Sequence, residues 1–312
     1  MNVVQQRAGE SRRPSIGRQV ATGRESRYAY LTLLPVLLIM AAFSLYPIGY
    51  SVYLSLHKEV LTDPLNNPFV GFQNFSNVLH SYYLVSSLVS TAAFMAMAVP
   101  GVMIFGLLSA LLLNEAFAGA RILRVAILLP WAMPAVVSGI VWRWLLNGDY
   151  GLLNSALYQL GIIHDYIPWL SSPALARVGL AVAHVWREGP LAAIFFLAGL
   201  QTIPTDLYNA AAVDGAGRVA AFRRITLPLL RPTIVIVLIY ETIVAATTFD
   251  LVYVMTGGGP ADATSLISWF AYAEVFKFLD LGAGAALAFL IALVLLGVIV
   301  LYLRILRSEE RR

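Results

Sequence analysis

Hydrophobic residues in this chain are concentrated in six long runs that are separated by shorter polar stretches. The runs cover approximately residues 30–56, 84–113, 122–146, 174–200, 232–255 and 283–304. A helix needs about 20 apolar residues to cross a hydrocarbon layer about 30 Å thick, because backbone polar groups cannot stay unpaired in lipid. All six runs meet this length. The pattern therefore predicts an all-α, polytopic membrane protein with six transmembrane helices.

Proline interrupts several of these runs. Pro47, Pro100, Pro130, Pro134 and Pro190 all fall inside predicted helices. A membrane helix tolerates such a kink where neighbouring helices or water satisfy the freed carbonyl groups. The prolines therefore predict helices that are tightly packed or that line a channel.

Composition agrees with a bilayer as the solvent. Of the 312 residues, 59% are hydrophobic and only 12% are charged, which is unlike an ordinary soluble domain. Cysteine is absent, and the four histidines do not occur in a metal-ligand spacing such as HExxH. We therefore expect no metal site and no cysteine chemistry.

Most of the 21 Lys and Arg residues lie in the two tails and in the second and fourth of the stretches that connect the runs. By the positive-inside rule, both termini are predicted to be cytoplasmic. The net charge is only +4, so topology explains the basic residues better than a nucleic acid partner does. The predicted division is a cytoplasmic basic tail over residues 1–28, a transmembrane domain over 29–306, and a cytoplasmic tail over 307–312.

The connecting stretch over about 203–231 has its own helical pattern. Thr205 or Asp206 is a candidate cap for a short helix that contains three successive alanines, and Asp214-Gly215 predicts where this helix stops. A second short helix is predicted to end at Pro228. Together they would form a compact helical knob on the membrane, while an amphipathic loop on anionic lipid is the alternative.

The same stretch carries a family resemblance. NAAAVDGA (209–216) followed by ITLP (225–228) resembles the cytoplasmic signature of permeases of binding-protein-dependent ABC importers, specifically the sugar type. FVGFQNF, LAGLQTIP and FDLVYVMTGGGP, and the VW pair at Trp186, are also similar to that family. The resemblance extends from about residue 30 to 304. It implies the type I importer fold, similar to the maltose transporter, in a bacterial inner membrane.

The resemblance further implies that this stretch is a coupling loop that docks on a separate ATPase. The residues it implies for coupling are Asn209, Ala210, Ala211, Asp214, Gly215, Ala216, Ile225, Leu227 and Pro228. The family usually has Glu where this chain has Asn209, so a salt bridge there is replaced by a weaker neutral hydrogen bond. No GxxxxGK[ST] motif occurs. ATP and Mg²⁺ are therefore expected on the partner ATPase, and no cofactor on this chain.

Ionisable residues inside the predicted membrane helices are candidates for a substrate path, because they are costly in lipid. Arg187, Glu188 and Glu241 lie near the middle of their runs. Glu241, Ala245 and Thr248 have the i, i+4, i+7 spacing of one helix face. An ion pair between helices, Arg187 with Glu188 or Glu241, is the alternative role.

The resemblance adds sugar contacts at these positions. The substrate-path candidates are Trp186, Arg187, Glu188, Leu191, Glu241, Ala245, Thr248 and Asp250. Charged groups suit sugar hydroxyls, and Trp186 suits either stacking on a pyranose ring or packing against a helix. Glycoside chemistry by Glu188 and Glu241 is an enzyme alternative that nothing else in the sequence supports.

The sequence thus predicts an import permease for a sugar or related polyol with no chemistry of its own. The partners implied by the resemblance are a second homologous permease, two ATP-binding subunits, an extracytoplasmic solute-binding protein, membrane lipid and the sugar itself. A homodimer of this chain is an alternative to two different permeases. An ion-coupled secondary transporter or a channel is the alternative function, with Arg and Glu as a gate or proton relay.

Overall fold

The computed structural model describes residues 23–63, 65–115 and 117–309. Most of the predicted basic tail, and residues 310–312, therefore lie outside the described residues. The helices are α1 (Gly23–Met40), α2 (Tyr46–Leu56), α3 (Gln73–Leu79), α4 (Tyr82–Asn114), α5 (Ala120–Ala132), α6 (Ala135–Leu145), α7 (Leu152–Gln159), α8 (Pro173–Gln201), α9 (Thr205–Val213), α10 (Arg218–Ala221), α11 (Leu227–Ala246), α12 (Asp250–Met255), α13 (Ile267–Phe276) and α14 (Leu281–Glu309). The β-structure among the described residues consists of two isolated β-bridges. The all-α prediction is confirmed.

The chain divides into two compact units, and the first ends at Ser51. In it, α1 leads into α2 through one π-helical turn, Ala41–Leu45. The apolar stretch Tyr30–Leu56 is long enough to cross a membrane, and none of its most hydrophobic window is buried. Its exposed apolar side chains suit a lipid environment. Helices extend into both predicted tails. Helix α1 already begins at Gly23, and α14 continues to Glu309.

Five described helical stretches can each cross a membrane, and the pair α5 and α6 makes a sixth only if this bent pair counts as one span. The two helices meet at an angle of 97°, which is a break rather than the predicted kink. Met133 and Pro134 both have extended backbone conformations at the break. A residue before proline is driven out of the helical region by the proline ring. Pro100, Pro130 and Pro190, by contrast, remain inside helices.

The fifth span begins and ends earlier than the sequence predicted. It is helical from Arg218 to Ala246. The prediction of a separate short helix that ends at Pro228 is therefore wrong. A π-helical turn, Phe222–Thr226, precedes the proline, and the Leu227 amide bonds back to the Phe222 carbonyl. This wider turn lets the helix continue despite the donor that proline lacks.

The predicted run over 232–255 is not one helix either, because the helix ends at Ala246 and α12 begins at Asp250. The hydroxyl groups of Thr247 and Thr248 donate to the carbonyls of Ile243 and Val244, at 2.8 Å each. Such bonds from threonine side chains to the preceding turn compete with the regular helical pattern. The segment after this end is held by arginines: Arg177 Nε donates to the Ala263 carbonyl at 2.8 Å, and Arg143 Nη1 to that of Val254 at 3.2 Å.

Helices α4 and α8 pack closely in the second unit, and small residues set their separation. Gly101 faces Val185, and Gly106 faces Ala192. Residue numbers rise together along both helices, so the two run parallel. Further along α8, Gly199 faces α11, which runs antiparallel to α8. Glycine allows this close approach because it has no Cβ, and helices in membranes associate through such contacts.

We expect Gly106→Ala to destabilise this packing. A Cβ at this position would lie 2.7 Å from the Ala192 Cβ and 3.1 Å from backbone atoms of Ala192 and Ala193. Backbone cannot rotate away, so α4 and α8 would have to separate, at a cost of about 1–3 kcal/mol. The midpoint of thermal unfolding of the purified protein in detergent should fall. Gly49→Ala is the matched control because a Cβ there meets nothing within 4 Å; equal midpoints for both variants would refute the packing account.

Candidate coupling loop and substrate path

Helix α9 forms the first half of the predicted coupling loop. It begins at Thr205, directly after Pro204, and no side chain caps it. The proposed capping by Thr205 or Asp206 is therefore wrong, because these residues already lie in the first turn. Asp206 instead places a negative charge at the positive end of the helix dipole.

The end of α9 is the predicted one, at Asp214 and Gly215. The Gly215 amide bonds to the Ala212 carbonyl at 3.1 Å, and the Ala216 amide to the Ala211 carbonyl at 2.8 Å. This is the Schellman arrangement, which requires a left-handed residue at the turn. Gly215 has a φ of 80°, a value that glycine adopts without strain.

The surface of α9 is open, and no residue of this helix is fully buried. Val213 is 89% exposed. Of the predicted coupling residues, the exposed ones are Asn209, Ala210, Asp214, Gly215 and Leu227, and the half-buried ones are Ala211, Ala216, Ile225 and Pro228. An exposed apolar side chain beside small residues can receive a partner surface at close range.

A side-chain bond joins α9 to the fifth span. The Tyr208 and Thr226 hydroxyls are 2.9 Å apart, and Thr226 lies in the π-helical turn before α11. Ile225 packs against the core that α4, α8 and α11 share. These contacts attach α9 to the fifth span. The sequence did not indicate this pair, because Tyr208 and Thr226 are 18 residues apart.

A buried polar cluster, His184, Glu241 and Thr248, lies between α8 and the end of α11. His184 Nε2 is 2.6 Å from Glu241 Oε1, and both side chains are 1% exposed. The Thr248 hydroxyl is 3.3 Å from His184 Nδ1 and also donates to the Val244 carbonyl. Each ring nitrogen of His184 therefore has a hydrogen-bond partner, Glu241 at Nε2 and Thr248 at Nδ1.

His184 is the functional candidate that sequence reasoning missed. In the sequence, the histidines had been interpreted only as possible metal ligands. The available signal was its position on α8, one helical turn before Glu188 and near the middle of a membrane span. Its partners are 57 and 64 residues away, so the chain itself does not indicate which groups it meets.

Arg187 pairs with its neighbour Glu188 on α8, not with Glu241. Glu188 is buried, while Arg187 is partly exposed. Beside them, Trp186 packs edge-on against Trp142 of α6, with ring centroids 5.9 Å apart. Within the described residues, the buried Nε1 of Trp142 and Nε of Arg187 have no hydrogen-bond partner.

The other predicted path residues are spread out. Ala245 is fully buried in the core, Leu191 is half-buried, and Asp250 is exposed at the start of α12. Thr248 lies beyond the end of α11, so Glu241, Ala245 and Thr248 do not form the continuous helix face that their spacing predicted. The structure brings together Glu241 with Thr248, through His184, and Arg187 with Glu188.

Residues 101–308, which contain the loop and both polar clusters, match the family described as the binding-protein-dependent transport system inner membrane component. The chain belongs to this family. It is a multi-pass permease subunit of an ABC importer that works with a binding protein, and ATP hydrolysis takes place on a separate subunit. The family resemblance in the sequence is thereby confirmed.

Curated relatives of this permease extend over nearly its whole length. It is 39% identical to the trehalose/maltose transport system permease protein of Thermococcus litoralis, covering 92% of this chain and 96% of that protein. It is 33% identical to the sn-glycerol-3-phosphate transport system permease protein of Yersinia pestis bv. Antiqua, covering 90% and 95%. The trehalose transport system permease protein of Mycobacterium tuberculosis is 32% identical, over 93% and 91%.

Solved structures show the same fold. A bacterial ABC transporter involved in the import of the acidic polysaccharide alginate matches with a TM-score of 0.78, 22% identity, and coverage of 91% of this chain and 96% of that chain. At this identity the likeness concerns the fold alone. It confirms the predicted polytopic importer fold of the permease.

Proposed function

We propose that this permease imports a sugar, or a polyol derivative such as a glycerol phosphate, and that residues 203–231 couple it to its ATPase. The observation that carries the coupling is the geometry of α9. Its surface is exposed, its end is fixed at Gly215, and Tyr208 bonds it to Thr226 at the base of the fifth span. Movement of a docked ATPase would therefore be transmitted into the membrane through one short connection.

The proposed assembly contains a second homologous permease, two ATP-binding subunits with ATP and Mg²⁺, and an extracytoplasmic solute-binding protein. Two different permeases are proposed rather than a homodimer. Both termini are proposed to lie in the cytoplasm, because most Lys and Arg residues lie in the tails and in the stretches on the side of α9. The ATPase then meets α9 on the cytoplasmic side, and the binding protein delivers substrate at the other end.

The substrate class is supported by relatives that transport trehalose, maltose or glycerol 3-phosphate. Two groups of polar side chains suit such a substrate, namely His184 with Glu241 and Thr248, and Arg187 with Glu188. The first group is closed in this structure, since His184 and Glu241 are buried. In the proposed cycle, ATP-driven closure of the ATPases moves α11 relative to α8 and opens this path to the outside.

The test is co-purification of the tagged permease from its native membrane, followed by mass spectrometry and an ATPase assay. Trehalose, maltose and glycerol 3-phosphate are the first compounds to add, each with the solute-binding protein. We expect an ATPase and a second permease to be recovered, and one of these classes to stimulate hydrolysis. A permease that purifies alone and gives proton-coupled flux in liposomes would instead support secondary transport, with His184 and Glu241 as the relay.

A further inference from the structure

Five aromatic side chains on α12 and α13, and just before them, form one continuous cluster. This aromatic platform consists of Phe249, Tyr253, Trp269, Tyr272 and Phe276. Ring centroids are 4.8 Å apart for Phe249 and Tyr272, 5.5 Å for Trp269 and Tyr272, and 4.9 Å for Tyr272 and Phe276. The rings thus support one another, and each pair falls within the range of favourable aromatic contacts.

The platform has a buried floor and an open edge. Trp269 is only 7% exposed, and the Lys277 ammonium lies 4.3 Å from the centre of its ring. Tyr253 and Phe276 are 50% and 65% exposed, and Tyr272 is half-buried between the floor and the edge. The inner rings therefore fix the orientation of the outer ones, which present aromatic surface to a ligand.

The platform adjoins the buried polar cluster. Phe249 directly follows Thr248, and Ser268 on α13 donates to the Thr248 carbonyl at 2.6 Å. Asp250, which is exposed, directly follows Phe249 in the chain. The aromatic faces and the Lys277 ammonium group are thus continuous with the polar residues of the proposed path, and a carboxylate follows next in the chain.

We propose that the platform is a carbohydrate-binding site, on which a pyranose ring stacks before it reaches His184 and Glu241. This inference rests on the proposed function. The apolar C–H face of a sugar ring packs on an aromatic face, while its hydroxyls bond to charged groups. Asp250 provides a negatively charged group and Lys277 a positively charged one. Aromatic residues that only anchor a protein at the membrane interface do not require such charges beside them.

The deciding comparison is Tyr253→Leu with Tyr253→Phe in the complete importer, reconstituted in nanodiscs or liposomes. Leucine keeps an apolar side chain but removes the ring, whereas phenylalanine keeps the ring and removes only the hydroxyl. With maltose or trehalose as the probe, whichever supports transport, we expect Tyr253→Leu to raise the KM for uptake about fivefold, as expected for the loss of one aromatic contact. Tyr253→Phe should stay within about twofold of the parent.

Three outcomes would overturn the carbohydrate site. An unchanged KM in Tyr253→Leu would mean that the ring faces lipid. Equal losses in Tyr253→Leu and Tyr253→Phe would assign the effect to the hydroxyl. Loss of the second permease from purified Tyr253→Leu would assign the platform to the subunit interface. Each is distinct from a failure of the proposed function, in which the parent importer itself would show no sugar-stimulated hydrolysis.

Discussion

Gly215→Val should uncouple ATP hydrolysis from uptake and leave membrane insertion intact. Gly215 has a φ of 80° at the end of α9, and a Cβ there would meet no atom within 4 Å. The penalty therefore comes from the backbone alone. A left-handed conformation costs an ordinary residue about 1–2 kcal/mol, and β-branched valine is especially poorly suited to it. The chain would relieve this strain by unwinding the turn that presents α9.

The measurement is uptake together with ATP hydrolysis in the reconstituted importer. We expect Gly215→Val to reduce the amount transported per ATP at least about tenfold, since a loss of about 1.4 kcal/mol in a docking equilibrium is already tenfold. Membrane insertion is checked by the amount of protein in the purified membrane fraction.

Two matched controls come from the same loop. Gly217 is two residues away, has an extended conformation and also has open space around it, so Gly217→Val should retain coupling. Gly215→Asn should retain part of it, because asparagine tolerates the left-handed region better than most residues. Normal uptake by Gly215→Val, or equal losses in Gly215→Val and Gly217→Val, would contradict the docking role of this turn.

Glu241→Leu should destabilise the permease strongly, because it leaves His184 buried without its partner. The two side chains are 2.6 Å apart and each is 1% exposed. Removal of one member of a buried ionisable pair costs about 3–5 kcal/mol, whereas replacement of both by apolar residues is often close to neutral. His184→Leu with Glu241→Leu should therefore be less destabilised than Glu241→Leu alone.

Unfolding in detergent is measured for the parent, Glu241→Leu, His184→Leu and the double variant. The four values together give the coupling energy between His184 and Glu241. Strict additivity of the two substitutions would mean that His184 and Glu241 do not interact in the folded protein.

Glu241→Gln is the conservative variant, since its carbonyl oxygen still accepts a hydrogen bond. We expect it to assemble normally and to change substrate-stimulated ATP hydrolysis. Unchanged hydrolysis and uptake in Glu241→Gln would assign Glu241 to helix packing alone.

Features of the chain that depend on local sequence were predicted well. Apolar runs located the first, second, fourth and sixth membrane spans closely, because the cost of unpaired backbone in lipid allows few alternatives to a helix. The end of α9 followed from Gly215, because the Schellman turn selects glycine. The family resemblance rested mainly on the same short stretch, in which the motif that contains Asn209 and Gly215 precedes the motif that ends at Pro228.

Errors arose where two local preferences compete. Proline was expected to kink the third run and to end the short helix at Pro228. In the structure the helix breaks at Pro134 but continues through Pro228. A π-helical turn accommodates Pro228, and no such turn precedes Pro134 among the described residues of the third run. A proline in the sequence does not show which of these compensations the surrounding helices allow.

The sequence by itself thus determined a polytopic helical permease and the glycine turn that ends α9, because hydrophobic length and glycine turns act over short distances. Tertiary structure alone decided which distant residues meet. It placed His184 against Glu241, linked Tyr208 to Thr226 and gathered Phe249 with Tyr272. These contacts depend on how α8, α11 and α13 pack and where α11 ends, and helix packing is set by side-chain shape across the whole bundle rather than by any one stretch.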